Sequence, residues 1–265
     1  MKKNETGKTM RKIFLAFLTI AVFMPLALVG ADEGQAPARL TADQIVEKSI
    51  AAKGGLQQWR AVQTMSFTGK MDAGGKTKDP VQLPFELDMK RPLKMRVELA
   101  FANDKALQVY DGVNGWKVRP YLGRKTVEPY TPEEMKSASL EPGLDGLLID
   151  YTAKGNKVEL EGTEKVEGQD AYKLKVTMKS NQVRHVWVDS KTFLEIKMDG
   201  APRRMDGRPR PVHIYLRDYR TVSGLMVPYT IETEVQGFKP SHKMVIESVK
   251  VNPKLEDSLF AKPKA

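Results

Sequence analysis

The chain of 265 residues contains no cysteine. This excludes disulfides and thiolate metal sites, and it removes the residue a lipoprotein carries directly after its signal. Histidine is nearly as scarce. His185, His213 and His242 are the only three, no two have ligand spacing on one helix, and no His-Glu-x-x-His run occurs. His185 and His213 fall in strand-like segments and read as satisfied neighbours across a sheet, not as metal or acid–base groups. Gly-x-Ser-x-Gly, the P-loop and Gly-x-Gly-x-x-Gly are also missing, which disfavours an enzyme. No cofactor is expected. Long basic runs are absent and the charges are interspersed, so nucleic acid is not an expected partner. No internal repeat is present.

Nor does any apolar run reach the ~20 residues of a spanning helix. What stands at the N-terminus instead is Lys2, Lys3, Lys8, Arg11 and Lys12, then an apolar stretch from Ile13 to Val29 broken by Pro25. That layout predicts a secretory signal over residues 1–31, cleaved after Ala31 to give a soluble periplasmic product; Met10 is an alternative start. Removing residues 1–31 takes five basic and one acidic residue from the chain's 43 and 33, so the net charge falls from +10 to +6. A flexible leader is expected over 32–40 and a single domain over 41–265.

Thr41 with Gln44 has the spacing of a capping box, and Ala42, Ile45, Val46, Ser49 and Ile50 recur on one helical face until Gly54-Gly55. Leu56 to Val62 adds a turn bearing Trp59. A second capping box, Thr131-Pro132-Glu133-Glu134, leads into Met135 to Leu140. Leu144, Leu147, Leu148 and Tyr151 then repeat at helical spacing, predicting another short helix.

From Met65 the period is two. Met95, Val97, Leu99 and Phe101 alternate with Lys94, Arg96, Glu98 and Ala100, and the pattern recurs at Phe85-Leu87-Met89, Tyr172 to Met178, Leu194 to Met198 and Tyr229 to Val235. Turn pairs such as Glu167-Gly168 and Ser223-Gly224 separate them. Ten to twelve strands, each with one dry face, produce more apolar area than three or four short helices can cover. The fold class is therefore mainly β (α+β). A curved antiparallel sheet forms an unclosed half-barrel, with a few short helices as plug or lid. Strands of seven or eight residues are too short for an outer-membrane barrel, which needs ~9–11.

Met89, Met95, Met178 and Met198 lie on the apolar strand faces, where an unbranched, polarizable side chain fits varied apolar ligands as well as core gaps. Between Ala201 and Pro211, Arg203, Arg204, Arg208 and Arg210 are expected to dock on an anionic surface, the alternative being a solvated hairpin tip.

The stretch Tyr110-Asp111-Gly112-Val113-Asn114-Gly115-Trp116-Lys117-Val118-Arg119-Pro120 resembles the strand-turn-strand of the periplasmic lipoprotein-carrier (LolA-like) superfamily. Asp218-Tyr219-Arg220, Gly224 to Pro228, Val251-Asn252-Pro253 and Ser258-Leu259-Phe260 are similar to the closing half of its outer membrane lipoprotein-sorting proteins. The resemblance implies a half-barrel with a helical lid over a cavity for acyl chains. It implies a monomeric carrier or chaperone for acylated lipoprotein or free lipid, with transient contact to a membrane or a membrane-bound acceptor. A lipid- or protein-sensing regulator is the second reading and a lipid-modifying enzyme the third. The expected cavity wall is Phe85, Leu87, Met89, Met95, Val97, Leu99, Phe101, Trp116, Leu144, Leu147, Leu148 and Tyr151.

Overall fold

In a computed structural model, the described residues are 40–72, 81–101, 103–239 and 241–264. The predicted signal and nearly all of the leader lie outside them.

Both capping boxes form. Thr41 accepts from the Gln44 amide and Gln44 answers to the Thr41 amide, opening α1 (Ala42–Ala52). Thr131 and Glu134 do the same for α3 (Pro132–Ser139), with α2 (Leu56–Ala61) between them in the chain. The helix predicted through Leu144 to Tyr151 does not form. Only a 3-10 turn, Gly143–Asp145, is present, followed by irregular turns. Gly143, Gly146 and Asp150 have φ of 61°, 65° and 52°, so the chain leaves the right-handed helical region every few residues.

Fifteen strands form among the described residues, more than the ten to twelve expected. They are β1 (Thr64–Asp72), β2 (Gln82–Lys90), β3 (Lys94–Phe101), β4 (Asp104–Tyr110), β5 (Gly115–Arg119), β6 (Arg124–Pro129), β7 (Lys157–Val166) and β8 (Gln169–Thr177). Then come β9 (Val183–Asp189), β10 (Glu195–Asp199), β11 (Arg203–Met205), β12 (Arg208–Arg210), β13 (Val212–Val222), β14 (Leu225–Val235) and β15 (His242–Val251). Thirteen make one antiparallel sheet in the order β6-β5-β4-β3-β2-β1-β15-β14-β13-β10-β9-β8-β7. It is not closed, since β6 and β7 remain its two edges. Strands reach 11 residues, so the expected length of seven or eight was too short. Openness, not strand length, is what separates this sheet from a barrel.

The arginine-rich segment forms the hairpin β11–β12, turned at Asp206-Gly207, whose φ values of 49° and 73° match a two-residue hairpin turn. Glu167-Gly168 and Ser223-Gly224 use the same geometry.

All three helices' apolar partners lie on one sheet face, termed inner here. Trp59 and Ile149 are buried against Met65, Phe67, Phe85, Leu225, Val227 and Ile246. Ile45, Val46, Leu147 and Leu148 are buried against Leu174, Val176, Val186 and Val188 of β8 and β9. Side chains alternate between faces, so cross-strand partners share one. At Gly69 the strand bulges against β15, and a Cβ there would stand 2.1 Å from the Val245 carbonyl oxygen. Only glycine fits this close approach.

Candidate functional site

Register assembles the inner face row by row. Met95 pairs with Met89, Met89 with Met65, and Met65 with Val251. One row further, Val97 pairs with Leu87, Leu87 with Phe67 and Phe67 with Val249. Near the opposite strand ends Leu83, Met71, Met244, Ile231 and Leu216 form one apolar line across five strands. The helices bury the lower rows. In the upper line Leu83, Met71, Met244 and Ile231 stay only half-buried.

Of the residues expected to form one wall, Phe85, Leu87, Met89, Met95, Val97, Leu99 and Phe101 share the inner face, and Phe101 is 38% exposed at its rim. Leu144 joins them, lining with Met89, Met95, Tyr110 and Glu141 a narrow slot of about 20 Å³. That is room for one water, not for an acyl chain.

Four of the expected wall residues stand apart from this row. Trp116 pairs with Val109, and Val109 with Arg96, so it stands on the outer face, opposite Met95. Leu147 and Leu148 are 1% and 0% exposed and belong to the core under α1. Tyr151 is half-buried beside them, its hydroxyl donating to Asp43 at 2.6 Å.

Two buried cations on the inner face were not singled out from sequence. Lys117 of β5 holds Glu134 in the first turn of α3. From β9, Arg184, 4% exposed, donates from Nη2 to the Leu140 carbonyl at 3.1 Å just past the end of α3. The helix is thus tethered to strands near both ends of the sheet order. Next to Leu140, burial pushes the Glu141 carboxyl above its usual range, against the opposing pull of Arg184 and Arg203. The signal for both cations was a charged residue on the dry side of an alternating strand.

On the outer face His185 and His213 share Asp199: Nδ1 of His185 lies 2.7 Å from Oδ2 and Nδ1 of His213 3.2 Å from Oδ1. They are neighbours on β9 and β13 through β10, as read from the sequence. Among the described residues no group of three His, Asp or Glu is arranged to hold a metal ion.

No family model matches the chain, and no curated protein does. Solved structures do. A LolA superfamily protein from Nitrosomonas europaea superposes with a TM-score of 0.55 at 16% identity, over 84% of this chain and 99% of that one. An outer membrane lipoprotein-sorting protein domain from Vibrio parahaemolyticus gives 0.55 at 16%, over 82% and 95%. The chain has the LolA-superfamily fold. A DUF1329 family protein from Desulfovibrio piger shares it too, with a TM-score of 0.54 at 15% identity over 83% and 97%. In the LolA fold as this chain builds it, the inner sheet face and the helix strapped across it are the candidate site.

Proposed function

We propose that this protein is a periplasmic, non-enzymatic carrier that holds the acyl chains of a lipoprotein or free lipid against its inner sheet face, for transfer towards the outer membrane. The observation that supports it most is the line Leu83–Met71–Met244–Ile231–Leu216, half-buried in its first four residues, a continuous apolar strip with no polar interruption across five strands. Burial on such a strip contributes ~0.8 kcal/mol per methylene without directional chemistry. Two methionines in it adapt to different chains. The slot beneath Leu144 is too small for a chain as it stands, so deeper binding requires α3 and the Gly143–Asp145 turn to move outward. Arg184 and Lys117 set the cost of that movement.

A fluorescent fatty-acyl probe tests this. Affinity should rise with chain length until the strip is filled, and the probe should be recovered chemically unchanged. Met244→Glu and Ile231→Glu fall at half-exposed positions and should leave the fold intact while weakening binding by about tenfold, ~1.4 kcal/mol. Folded variants that bind as tightly as the parent would remove the inner face as the site.

A further inference from the structure

Pairing from β3 through β2, β1, β15, β14 and β13 to β10 brings the Phe101 end of β3 and the Asp199 end of β10 to the same end of the sheet. The half-buried strip opens there as well. On the β3 side of this rim Phe101, Tyr121 and Leu122 are 38%, 51% and 54% exposed, and the Phe101 and Tyr121 rings meet edge to face at 6.3 Å. Clustered large apolar side chains left in solvent mark an interaction surface.

On the β10 side stands the β11–β12 hairpin, with four arginines against one aspartate. Of the eight other described arginines, Arg60, Arg91, Arg96, Arg119, Arg124, Arg217 and Arg220 each meet a carboxylate, and buried Arg184 is held by the Leu140 carbonyl. Among the described residues none of Arg203, Arg204, Arg208 and Arg210 forms such an ion pair, although the charge of Arg203 acts on the Glu141 carboxyl. Arg210 lies 5.6 Å from the Phe238 ring centroid, and its buried Nε has no hydrogen-bond partner.

We infer that this rim docks on an anionic bilayer surface, with Phe101, Tyr121 and Leu122 entering the interface and the hairpin guanidinium groups meeting lipid phosphates. The two features are six interstrand steps apart in the sheet order. At ~4.8 Å per step that is roughly 29 Å of sheet, so the occupant must be broad. It must also be acidic at one side and accept apolar side chains at the other. A bilayer with anionic headgroups meets all three conditions. Docked this way, the protein would present the open end of its apolar strip to the lipid. The inference builds on the carrier reading, and probe binding in solution, measured in parallel, reports that reading separately.

Flotation with phosphatidylcholine vesicles, with and without about one-third phosphatidylglycerol, tests it. Every variant is compared with the wild-type chain from the same preparation, so any contribution of residues 1–31 is common to both. Wild type should float with the anionic vesicles and release as salt rises. Replacing Arg203, Arg204, Arg208 and Arg210 by Gln should cut the bound fraction about tenfold and remove the salt dependence. Phe101→Ser with Tyr121→Ser and Leu122→Ser should cut binding at all salt concentrations. Lys165, Lys191, Lys254 and Lys262, exposed outside this rim, replaced together by Gln, should leave binding near wild type. Three results would overturn the inference: equal binding to neutral vesicles, loss in the lysine set equal to that in the arginine set, or no loss in either rim variant.

Discussion

Lys53 at the end of α1 and Glu195 at the start of β10 form an ion pair of 2.7 Å, with side chains only 10% and 2% exposed. The same lysine lies 5.2 Å from the Trp59 ring centroid, and its carbonyl accepts from the Trp59 indole and the Met226 amide. It therefore pins the helical plug to the sheet between the two inner core clusters. Two charges taken from water cost several kcal/mol each, so the pair's worth lies in position more than in net stability.

Lys53→Met should accordingly destabilise by about 3–5 kcal/mol, because Glu195 is left buried without a counter-charge. The double variant Lys53→Met with Glu195→Leu should recover most of the loss. Denaturant unfolding of the three proteins measures this. A single variant as stable as wild type would show that Glu195 reaches water or another partner.

Arg184→Met removes the donor to the Leu140 carbonyl and one of the two cations facing Glu141. Amides of residues 132–141 should then exchange faster with solvent, and stability should fall by roughly 1.5–3 kcal/mol, the range for hydrogen bonds to charged groups. Exchange mass spectrometry reads the helix directly. Unchanged protection across 132–141 in a folded variant would mean that Lys117 and apolar packing hold α3 without this tether.

Three carboxyls point to an acid limb in stability. Burial pushes Asp145 up, but hydrogen bonds from Arg91 and the charge of Lys154 outweigh it and hold it below the usual range. Asp150 is lowered by its hydrogen bond from Arg60, and Asp257 is lowered to about 2 by Lys94 and Lys90. Their folded values lie below the unfolded ones, so their contribution is complete above an ordinary aspartate value of ~3.9 and is lost as pH falls towards 2. Melting temperature should be insensitive to these groups from neutral pH down to about 5 and fall below about 4. In Asp145→Asn that acid limb should be shallower, and a limb of unchanged steepness would exclude Asp145 as a contributor.

Much of the architecture was legible along the chain because its signals are local. Thr41 with Gln44 and Thr131 with Glu134 satisfy helix-end amides within three residues, whatever the rest of the fold does. Glu167-Gly168 and Ser223-Gly224 turn the strands through their own backbone preferences. Alternation at Met95, Val97 and Leu99 assigned those residues correctly to one face. The Leu144 to Tyr151 segment misled because helical spacing and helical backbone are separate conditions, and Gly143 and Gly146 break the second.

The candidate site was legible only in part. Alternation marks an apolar side of a strand but not which side of the sheet it joins. Trp116 follows a dry pattern, yet its partner Val109 is fully buried on the outer face. On that same face Lys90 and Lys94 hold Asp257, and the turn Asp257–Phe260 packs against β3. A second apolar patch on the far side of the sheet looks the same in one dimension as the first.

By itself, then, the sequence determined the elements: two capped helices, the strands and their turns, the absence of thiol chemistry, and a surplus of apolar strand face that some curved sheet had to enclose. Only the tertiary structure decided which strands became neighbours. That choice put Trp116 outside and Leu147 and Leu148 in the core. It lined up Leu83, Met71, Met244, Ile231 and Leu216 across five strands, and it brought Arg184 to the end of α3. The physical reason is range. Caps, turns and alternation act within a few residues, whereas register across the sheet joins residues such as Met71 and Met244 that are far apart in the chain, and it is set by the packing of the whole domain.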